Sequence, residues 1–497
     1  MTHRPTYDCT DEQILTFPYF DLVAACGENR NLPCDVESYS LGDGFIHLIL
    51  PEDVPERAVA VYIRDIDGNY LARRVYDFSQ KVMIGPWEVV LDHPTLPVLY
   101  FETEDHNIYE AMNASETKDI ICDGNMHICV GKAEADKNNW YREYLSTSDD
   151  KGDKTTASLQ GRGSGSWKVK YKKSYSLRLD KAQNLLGMGS NRNWNLIGNA
   201  YDLSLTKNDV FGEMSSRIGI DYQPKRQNIN LYVDGKYQGV YTLTTKVSVD
   251  KDRVALNRGD YFYRLDAPFP EVPIRYDSDA WFFDSGQEFP VADLMYPEDP
   301  SPEKLAEASA ILQNFVNLRD NASLPGFENV CDLESLAKYY WIQEIAMNFD
   351  ACSRSTYMYY KHTDSQMHFG PVWDMDYTLG CAYEKEEVDF TTPEGWKIRN
   401  LGWYRPLFDR PEFVEKVRDV YFNGGVREAM LDGTADFEAK KQRLGEDAYL
   451  NWLFFANANP PQMGLIYGDT YDSFCDNMIG FYKKRVEWID AEMNKTL

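Results

Sequence analysis

A basic, glycine-rich segment is the first candidate for chemistry in this sequence. Residues 160–179 read Gln-Gly-Arg-Gly-Ser-Gly-Ser-Trp-Lys-Val-Lys-Tyr-Lys-Lys-Ser-Tyr-Ser-Leu-Arg-Leu, the densest basic cluster in a chain of formal net charge −27. Glycines let backbone N–H groups approach a phosphate closely. The segment therefore predicts a triphosphate site, although no Gly-Lys-Ser/Thr follows at Walker A spacing. A solvated basic loop with a flexible Gly-Ser hinge is the alternative.

Two adjacent lysines lead into a stretch that alternates like a strand. Tyr175, Leu177 and Leu179 share one face, and alternation places Lys173 with them and Lys172 on the opposite, exposed face. An inward lysine needs an anionic partner, such as a nucleotide phosphate or a helix carboxylate. The alternative is that Lys173 sits at the strand end and extends its ammonium to solvent.

Two further segments carry acids at positions suited to catalysis. Asn348 and Asp350 follow an amphipathic helical pattern and precede an apolar stretch, so the sequence predicts a polar loop at a helix end. Asp374 and Asp376 follow an apolar run, and as a pair in extended chain they suit a hard cation such as Mg²⁺. The alternatives are an ordinary helix C-terminus and an Asp-rich β-turn.

The elements that must position these residues fall into a β-rich part and a helix-rich part. Residues 228–247 predict a hairpin around Asp234-Gly235, and Ser301-Pro302-Glu303 predicts a helix start. Before them, residues 36–95 predict a small β-sandwich, after an arm or a few short elements. We therefore expect an α+β chain whose main domain has a cleft between its two parts.

The overall composition sets limits on partners. The net charge of −27 argues against nucleic-acid binding. The sequence holds no run of 18 apolar residues, so no membrane span is expected. Met1-Thr-His-Arg-Pro has no apolar leader, which predicts a cytoplasmic protein, or a spore-coat or secreted one if a leader has been removed.

The cysteines do not form a recognisable framework. Nine cysteines at irregular spacing without a CxxC pair argue against a structural zinc site, and buried reduced thiols are expected. The alternative is that Cys122 and Cys129 pair across a short hairpin in an oxidising compartment.

Taken together, these segments resemble the spore coat protein H (CotH) kinase family over roughly residues 97–490. The likeness rests on six motifs that occur in the family's order. They are Arg162-Gly-Ser-Gly-Ser-Trp167 with Lys172-Lys-Ser-Tyr-Ser-Leu-Arg-Leu179, Asn193-Trp-Asn-Leu196, the stretch from Asp202 to Asn208, the hairpin from Leu231 to Leu243, Asn348-Phe-Asp350, and Trp373-Asp-Met-Asp376 with Gly380.

The resemblance implies a fold and an activity. The expected fold is α+β, an atypical bilobal protein-kinase-like fold. The chain would then consist of an accessory module at 1–95 and a kinase-like domain at 96–497. The two lobes of that domain are expected at about 96–265 and 266–497. The expected activity is ATP- and Mg²⁺-dependent phosphorylation of a protein or peptide substrate, with Mn²⁺ as a possible substitute.

The resemblance also implies roles for individual residues. Asp350 is expected to be the catalytic acid of the loop, and Asp374, Asp376 and Ser355 the metal ligands. The expected ATP-binding residues are Arg162, Gly163, Ser164, Lys173 and Asn208, with Glu213 as the helix partner of Lys173.

The chain departs from the family at three positions. Lys207 stands where members have Arg, Thr245 where many have Glu, and Ser355 where many have Asn. Lysine loses the bidentate fork, and Thr and Ser are weaker metal or nucleotide ligands. Two alternative functions therefore remain: a catalytically weak domain for binding or coat assembly, and a kinase-fold enzyme that uses ATP to activate a carboxylate for ligation.

Overall fold

A computed structural model gives the architecture of the chain. Strand backbones are described within the first 95 residues, without their side chains. Beyond them the structure describes residues 96–129, 155–163, 165–169, 172–234, 236–265, 271–278, 290–351, 354–380, 383–455, 465–468 and 470–495.

The first 95 residues contain two antiparallel sheets. One has the order β1-β5-β4 and the other β3-β2-β6-β7-β8. The strands are β1 (Thr6–Tyr7), β2 (Asp21–Cys26), β3 (Pro33–Cys34), β4 (Ser38–Gly42), β5 (Phe45–Ile49), β6 (Ala58–Arg64), β7 (Tyr70–Asp77) and β8 (Val82–Val89). The expected β content is present, but the packing of a sandwich depends on side chains outside the described residues.

The next seven strands close into a barrel. They are β9 (Val98–Thr103), β10 (Ile121–Cys129), β11 (Thr155–Arg162), β12 (Ser174–Asn184), β13 (Ser190–Ile197), β14 (Arg226–Val233) and β15 (Lys236–Thr245), in the order β10-β11-β12-β13-β15-β14-β9. Helix α1 (His106–Ala114) connects β9 to β10, and α2 (Lys207–Arg217) connects β13 to β14. The apolar faces of the strands fill the barrel, among them Tyr175, Leu177 and Leu179 of β12, as their alternation predicts.

The predicted hairpin is confirmed as β14–β15. Val233 pairs with Lys236, and Asp234 has a φ of 48°, as a tight two-residue connection requires. Barrel closure was not expected, because it comes from a parallel pair between β14 and β9, in which Asn230 lies opposite Val98. Such a long-range pair has no local sequence signal.

The barrel also excludes the proposed pairing of Cys122 with Cys129. Both residues lie on β10, whose neighbours are β9 and β11, so no hairpin turn brings them together. Cys122 is a free, buried thiol, and burial raises its pKa to about 11.

A second sheet follows the barrel. Its order is β17-β18-β16-β19-β20, with β16 (Tyr261–Leu265), β17 (Pro273–Arg275), β18 (Val291–Tyr296), β19 (Thr356–Lys361) and β20 (Gln366–Phe369). Strand β16 lies before the expected lobe boundary at 265, yet it pairs with β18 and β19 on the other side of that boundary.

Helices dominate the remainder of the chain, and the first three of them pack on this sheet. The helices are α3 (Pro302–Asp320), α4 (Phe327–Val330), α5 (Leu333–Ala346), α6 (Pro411–Phe422), α7 (Val426–Phe455) and α8 (Tyr471–Lys495), with a small hairpin of β21 (Glu384–Lys385) and β22 (Val388–Asp389). Ser301 caps α3 as predicted, and the Asp332 carboxylate caps α5. No described helix is long and apolar enough to span a membrane.

The last turns of α7 are hydrogen-bonded to the barrel. Gly445 interrupts the helix with a φ of 46°. Beyond it, the Asp447 carboxylate accepts from Leu96 N at 3.1 Å and Asn230 Nδ2 at 2.7 Å. Asn451 Oδ1 accepts from Val240 N at 2.9 Å and from the Lys172 ammonium. The barrel and the C-terminal helices are therefore joined by polar contacts that are buried.

We predict that Asn451→Ala lowers the free energy of unfolding. It leaves the Val240 N–H and the Lys172 ammonium without this acceptor, and an unsatisfied buried donor costs about 1–3 kcal/mol. Denaturant melts followed by tryptophan fluorescence measure the change. Asn494→Ala in the exposed end of α8, where the amide donates to Asp490 O, is the matched control. Equal stability of the two variants would contradict this docking role.

Candidate active site

The loop after α5 is a compact polar turn. Helix α5 ends at Ala346 and is capped by Met347, which has a left-handed φ of 51°. The buried Asn348 then donates from Nδ2 to Gln343 Oε1 at 2.7 Å and accepts from Asp350 N on Oδ1 at 3.0 Å. Because both ends of the Asn348 amide are engaged, the path of the loop is fixed and Asp350 is held at its tip. The structure thus places Asp350 after the helix end, as predicted.

The segment with the other two acids is held by the start of α2. Asp374 adopts a left-handed conformation, with a φ of 63°, which is strained for a residue with a side chain. Just after it in the chain, Asn208 Oδ1 accepts from Met375 N at 2.9 Å, and Lys207 Nζ donates to Thr378 O at 2.7 Å and Asp376 O at 3.3 Å. These contacts stabilise a conformation that the segment would not favour alone.

The acids converge around a buried carboxylate. The pKa of Asp376 is raised well above its usual value, first by burial and then by Asp374, Asp202 and Asp350, while Lys207 opposes the shift. Asp376 is 8% exposed, and within the part of the chain that the structure describes no protein donor bonds its carboxylate. A buried carboxylate among acids and without a donor is costly unless a cation compensates it.

This donor set fits a magnesium ion that is bound with the help of phosphates. In the described ranges, no group of three or more His, Cys, Asp or Glu side chains is arranged to hold a metal by itself. Mg²⁺ commonly takes only one or two carboxylates and completes its shell with waters and substrate phosphates. Asp374 and Asp376 match that requirement, so they fit the cation that the sequence predicts.

The glycine-rich segment approaches the acids from the barrel. Arg162 ends β11, and its guanidinium lies 5.7 Å from the centre of the Trp373 ring. Burial lowers the pKa of Arg162, while Asp374, Tyr357 and Asp376 raise it. The arginine thus lies in the field of the acids, as expected of a residue at the site.

Glycine is required where this segment turns. Gly163 has a φ of 87°, and a Cβ there would clash with the Ser166 hydroxyl. A Cβ at Gly161 would lie 2.5 Å from the ring of the buried Trp167. Ser164, which was expected to bind ATP, lies outside the described residues.

Ser355 contacts one of the candidate metal ligands. Its hydroxyl donates to Asp374 Oδ2 at 3.2 Å, and its own φ is 50°. The serine therefore holds the orientation of the Asp374 carboxylate in this structure. Thr245, another departure from the family, lies on β15 and accepts from Lys225 N at 3.1 Å.

The predicted division between the two lysines is wrong for Lys172. Both side chains are buried, Lys172 with 3% and Lys173 with 9% of its surface exposed. Lys172 donates to Val240 O at 2.7 Å, and burial sets its pKa well below the usual value. Both lysines precede β12, which begins at Ser174, so the alternation of the strand does not extend to them.

The contacts of Lys173 are with the glycine-rich turn. Its ammonium donates to the Trp167 carbonyl and lies 4.3 Å from the centre of the Trp167 ring. The expected partner Glu213 instead pairs with Lys440 of α7, and 55% of its side chain is exposed. The Lys173–Glu213 pair is therefore a prediction that the structure does not support, because the two side chains engage different elements.

Two further residues lie at this site, Tyr201 and Asp202, and the sequence analysis predicted no role for either of them. Burial raises the pKa of Tyr201, and so do Asp376, Asp350 and Asp374, while Arg354 opposes the shift. Asp202 accepts from Lys207 N at 2.9 Å and so organises the start of α2. A tyrosine next to an acid before a helix forms no recognisable motif, although Asp202 begins the Asp202–Asn208 stretch of the resemblance and Tyr201 directly precedes it.

Comparison with known proteins identifies the family of the chain. The family described as CotH kinase protein matches residues 159–424, which is more than half of the chain and includes Arg162, Asp350, Asp374 and Asp376. The chain therefore belongs to the CotH kinase protein family. A search of curated proteins found no match.

We predict that Asp376→Asn raises the melting temperature of the nucleotide-free protein. A carboxyl whose pKa is raised by folding destabilises the fold at pH values above its folded pKa, and this penalty disappears below its unfolded pKa of about 3.9. The gain should therefore be largest at neutral pH and vanish as the pH falls towards about 4. Thermal melts across this pH range measure it.

Asp389→Asn is the control, because folding lowers the pKa of Asp389 whereas it raises that of Asp376. Hydrogen bonds from Thr391 lower the pKa of Asp389, so its ionised form stabilises the fold. This substitution should give no gain at neutral pH. A loss of stability in Asp376→Asn at neutral pH would show that its carboxylate is compensated within the protein.

Proposed function

We propose that this protein is an ATP- and Mg²⁺-dependent protein kinase that phosphorylates Ser or Thr hydroxyls of a protein substrate, with Mn²⁺ able to replace Mg²⁺. The family name points to a kinase, and the site supplies a reason. In this proposal residues 96–497 are the catalytic domain in a bilobal, kinase-like arrangement, the barrel belongs to the first lobe, and residues 1–95 are an accessory module.

The observation that carries the proposal is the buried Asp376 carboxylate among Asp374, Asp350 and Asp202. A protein sustains such a crowded group of carboxylates at a cost to its stability, which is typical of functional sites. The cluster faces Arg162 at the end of the glycine-rich strand. Carboxylates for a cation and a cationic turn for phosphates are the two parts that phosphoryl transfer needs.

Each residue has a distinct role in this proposal. Asp374 and Asp376 would hold the cation, which when bound neutralises charge on the phosphates. Asp350 would orient the acceptor hydroxyl and take its proton. Arg162 and the backbone at Gly163 would bind phosphate oxygens, while the binding of phosphate by Lys173 stays a prediction.

The reaction products distinguish the kinase from the two alternative functions, carboxylate activation and binding without catalysis. Incubation with ATP labelled in the α or the γ position, followed by mass spectrometry of the proteins, distinguishes them. Transfer of the γ label to Ser or Thr with release of ADP supports the kinase. Transfer of the α label, or formation of an amide bond with consumption of ATP, supports carboxylate activation. Binding without any product supports a module for binding or coat assembly.

We predict that the acids differ in their effect on binding and transfer. Asp374→Ala should abolish the rise in melting temperature that Mg²⁺ and ATP produce, since a ligand that binds only the native state stabilises it. Asp350→Ala should keep that rise but lower transfer by at least about 100-fold, as expected for loss of a positioned base.

Asp419→Ala on α6 is the control for these variants. The Asp419 carboxylate is paired with Lys416, far along the chain from the site motifs, and should affect neither measurement. Equal, mild effects of Asp374→Ala and Asp350→Ala would show that the assigned roles are wrong. No thermal shift of the wild-type protein at millimolar ATP and Mg²⁺ would refute the kinase proposal itself.

A further inference from the structure

Tyr201 lies between the glycine-rich turn and the acids. It precedes α2, and its ring packs beside Tyr377 with 6.2 Å between the ring centres. Its hydroxyl lies under the glycine-rich turn, because a Cβ built on Gly165 would be only 3.1 Å from the Tyr201 oxygen. The phenol therefore meets the backbone of the turn directly, and the absence of a side chain at Gly165 leaves room for it.

The same hydroxyl also lies in the electrostatic field of the carboxylates. Asp376, Asp350 and Asp374 all act on Tyr201, and Arg354 acts in the opposite sense. Since the pKa of Tyr201 is raised from 10.0, the hydroxyl keeps its proton at neutral pH. Among the described residues, no hydrogen bond engages this hydroxyl, and its side chain is only partly buried. It is a donor at the centre of the site that no described protein group uses.

The groups on the two sides of the Tyr201 hydroxyl both suit a ligand that carries phosphates and a bound cation. The glycine-rich turn offers backbone donors and Arg162, which suit phosphate oxygens. The acids suit a cation that also bridges phosphates. A donor placed between them would meet the phosphate oxygens that lie nearest to the cation.

We propose that the Tyr201 hydroxyl donates a hydrogen bond to the terminal phosphate of bound ATP. This inference rests on the proposed function, because it takes ATP to be the ligand. It adds a residue that reads the γ-phosphate and so distinguishes ATP from ADP. A hydrogen bond to a charged acceptor corresponds to about 10- to 100-fold in affinity.

Equilibrium binding of ATP and of ADP, each with Mg²⁺, tests this role without relying on turnover. Tyr201→Phe keeps the ring against Tyr377 and removes only the hydroxyl. We expect the ATP dissociation constant to rise by about 10-fold or more, while the ADP dissociation constant changes by less than about twofold. The melting temperature of the nucleotide-free variant should stay unchanged.

Tyr421→Phe is the matched control. Its hydroxyl donates to Asp490 Oδ1 at 2.9 Å between α6 and α8, so its loss should lower stability and leave both affinities unchanged. If Tyr201→Phe weakens ATP and ADP equally, or weakens neither, the inference is overturned.

Turnover of the wild-type protein separates this inference from the proposed function. If the wild type transfers phosphate and Tyr201→Phe keeps its preference for ATP, only the inference fails. If Tyr201→Phe loses that preference but the wild type phosphorylates no protein, the kinase proposal fails and the γ-phosphate contact stands. If the wild type binds neither nucleotide, both are refuted.

Discussion

The arrangement of the site depends on one buried ion pair, Glu344 with Arg485. Both side chains have 0% exposure, and the pair joins the last turn of α5 to α8. The Glu344 carboxylate also accepts from Lys397 N at 2.7 Å and from Arg399 N at 2.8 Å. Removing two charges from water is expensive, and only such additional hydrogen bonds make the pair tolerable. Its value to the protein is geometric, because it fixes where α5 ends.

The end of α5 in turn determines where the acids lie. Asp350 is six residues beyond Glu344, in a loop that Asn348 holds rigid. Ala346 O accepts from Leu379 N at 2.9 Å, which ties the segment with Asp374 and Asp376 to the same helix end. The charge repulsion within the acid cluster can therefore not be relieved by moving the chain apart. A rigid frame keeps in place a group of carboxylates that would otherwise separate, and this strain is the physical basis for expecting a cation there.

Local patterns predicted the parts of the structure that local physics controls. The β14–β15 hairpin, the cap of α3 at Ser301 and the buried face of β12 follow from turn chemistry, capping and alternation, and all three are confirmed. The acid motifs were found because their residue types and spacing are distinctive. Closure of the barrel through β14 and β9, and the partner of Glu213, depend on contacts between residues far apart in sequence. Such contacts leave no periodic signal.

The error at Lys172 has a consequence for how the two parts of the chain are coupled. Lys172 is held by Val240 of the barrel and by Asn451, and its ammonium lies 5.0 Å from the Phe455 ring. Both α7 residues lie beyond residue 424, where the family match ends. The next residue, Lys173, contacts the Trp167 that supports the glycine-rich turn. The position of that turn therefore depends on a helix outside the matched region. Sequence changes in α7 should therefore affect the glycine-rich turn through packing, without any α7 side chain having to touch a ligand.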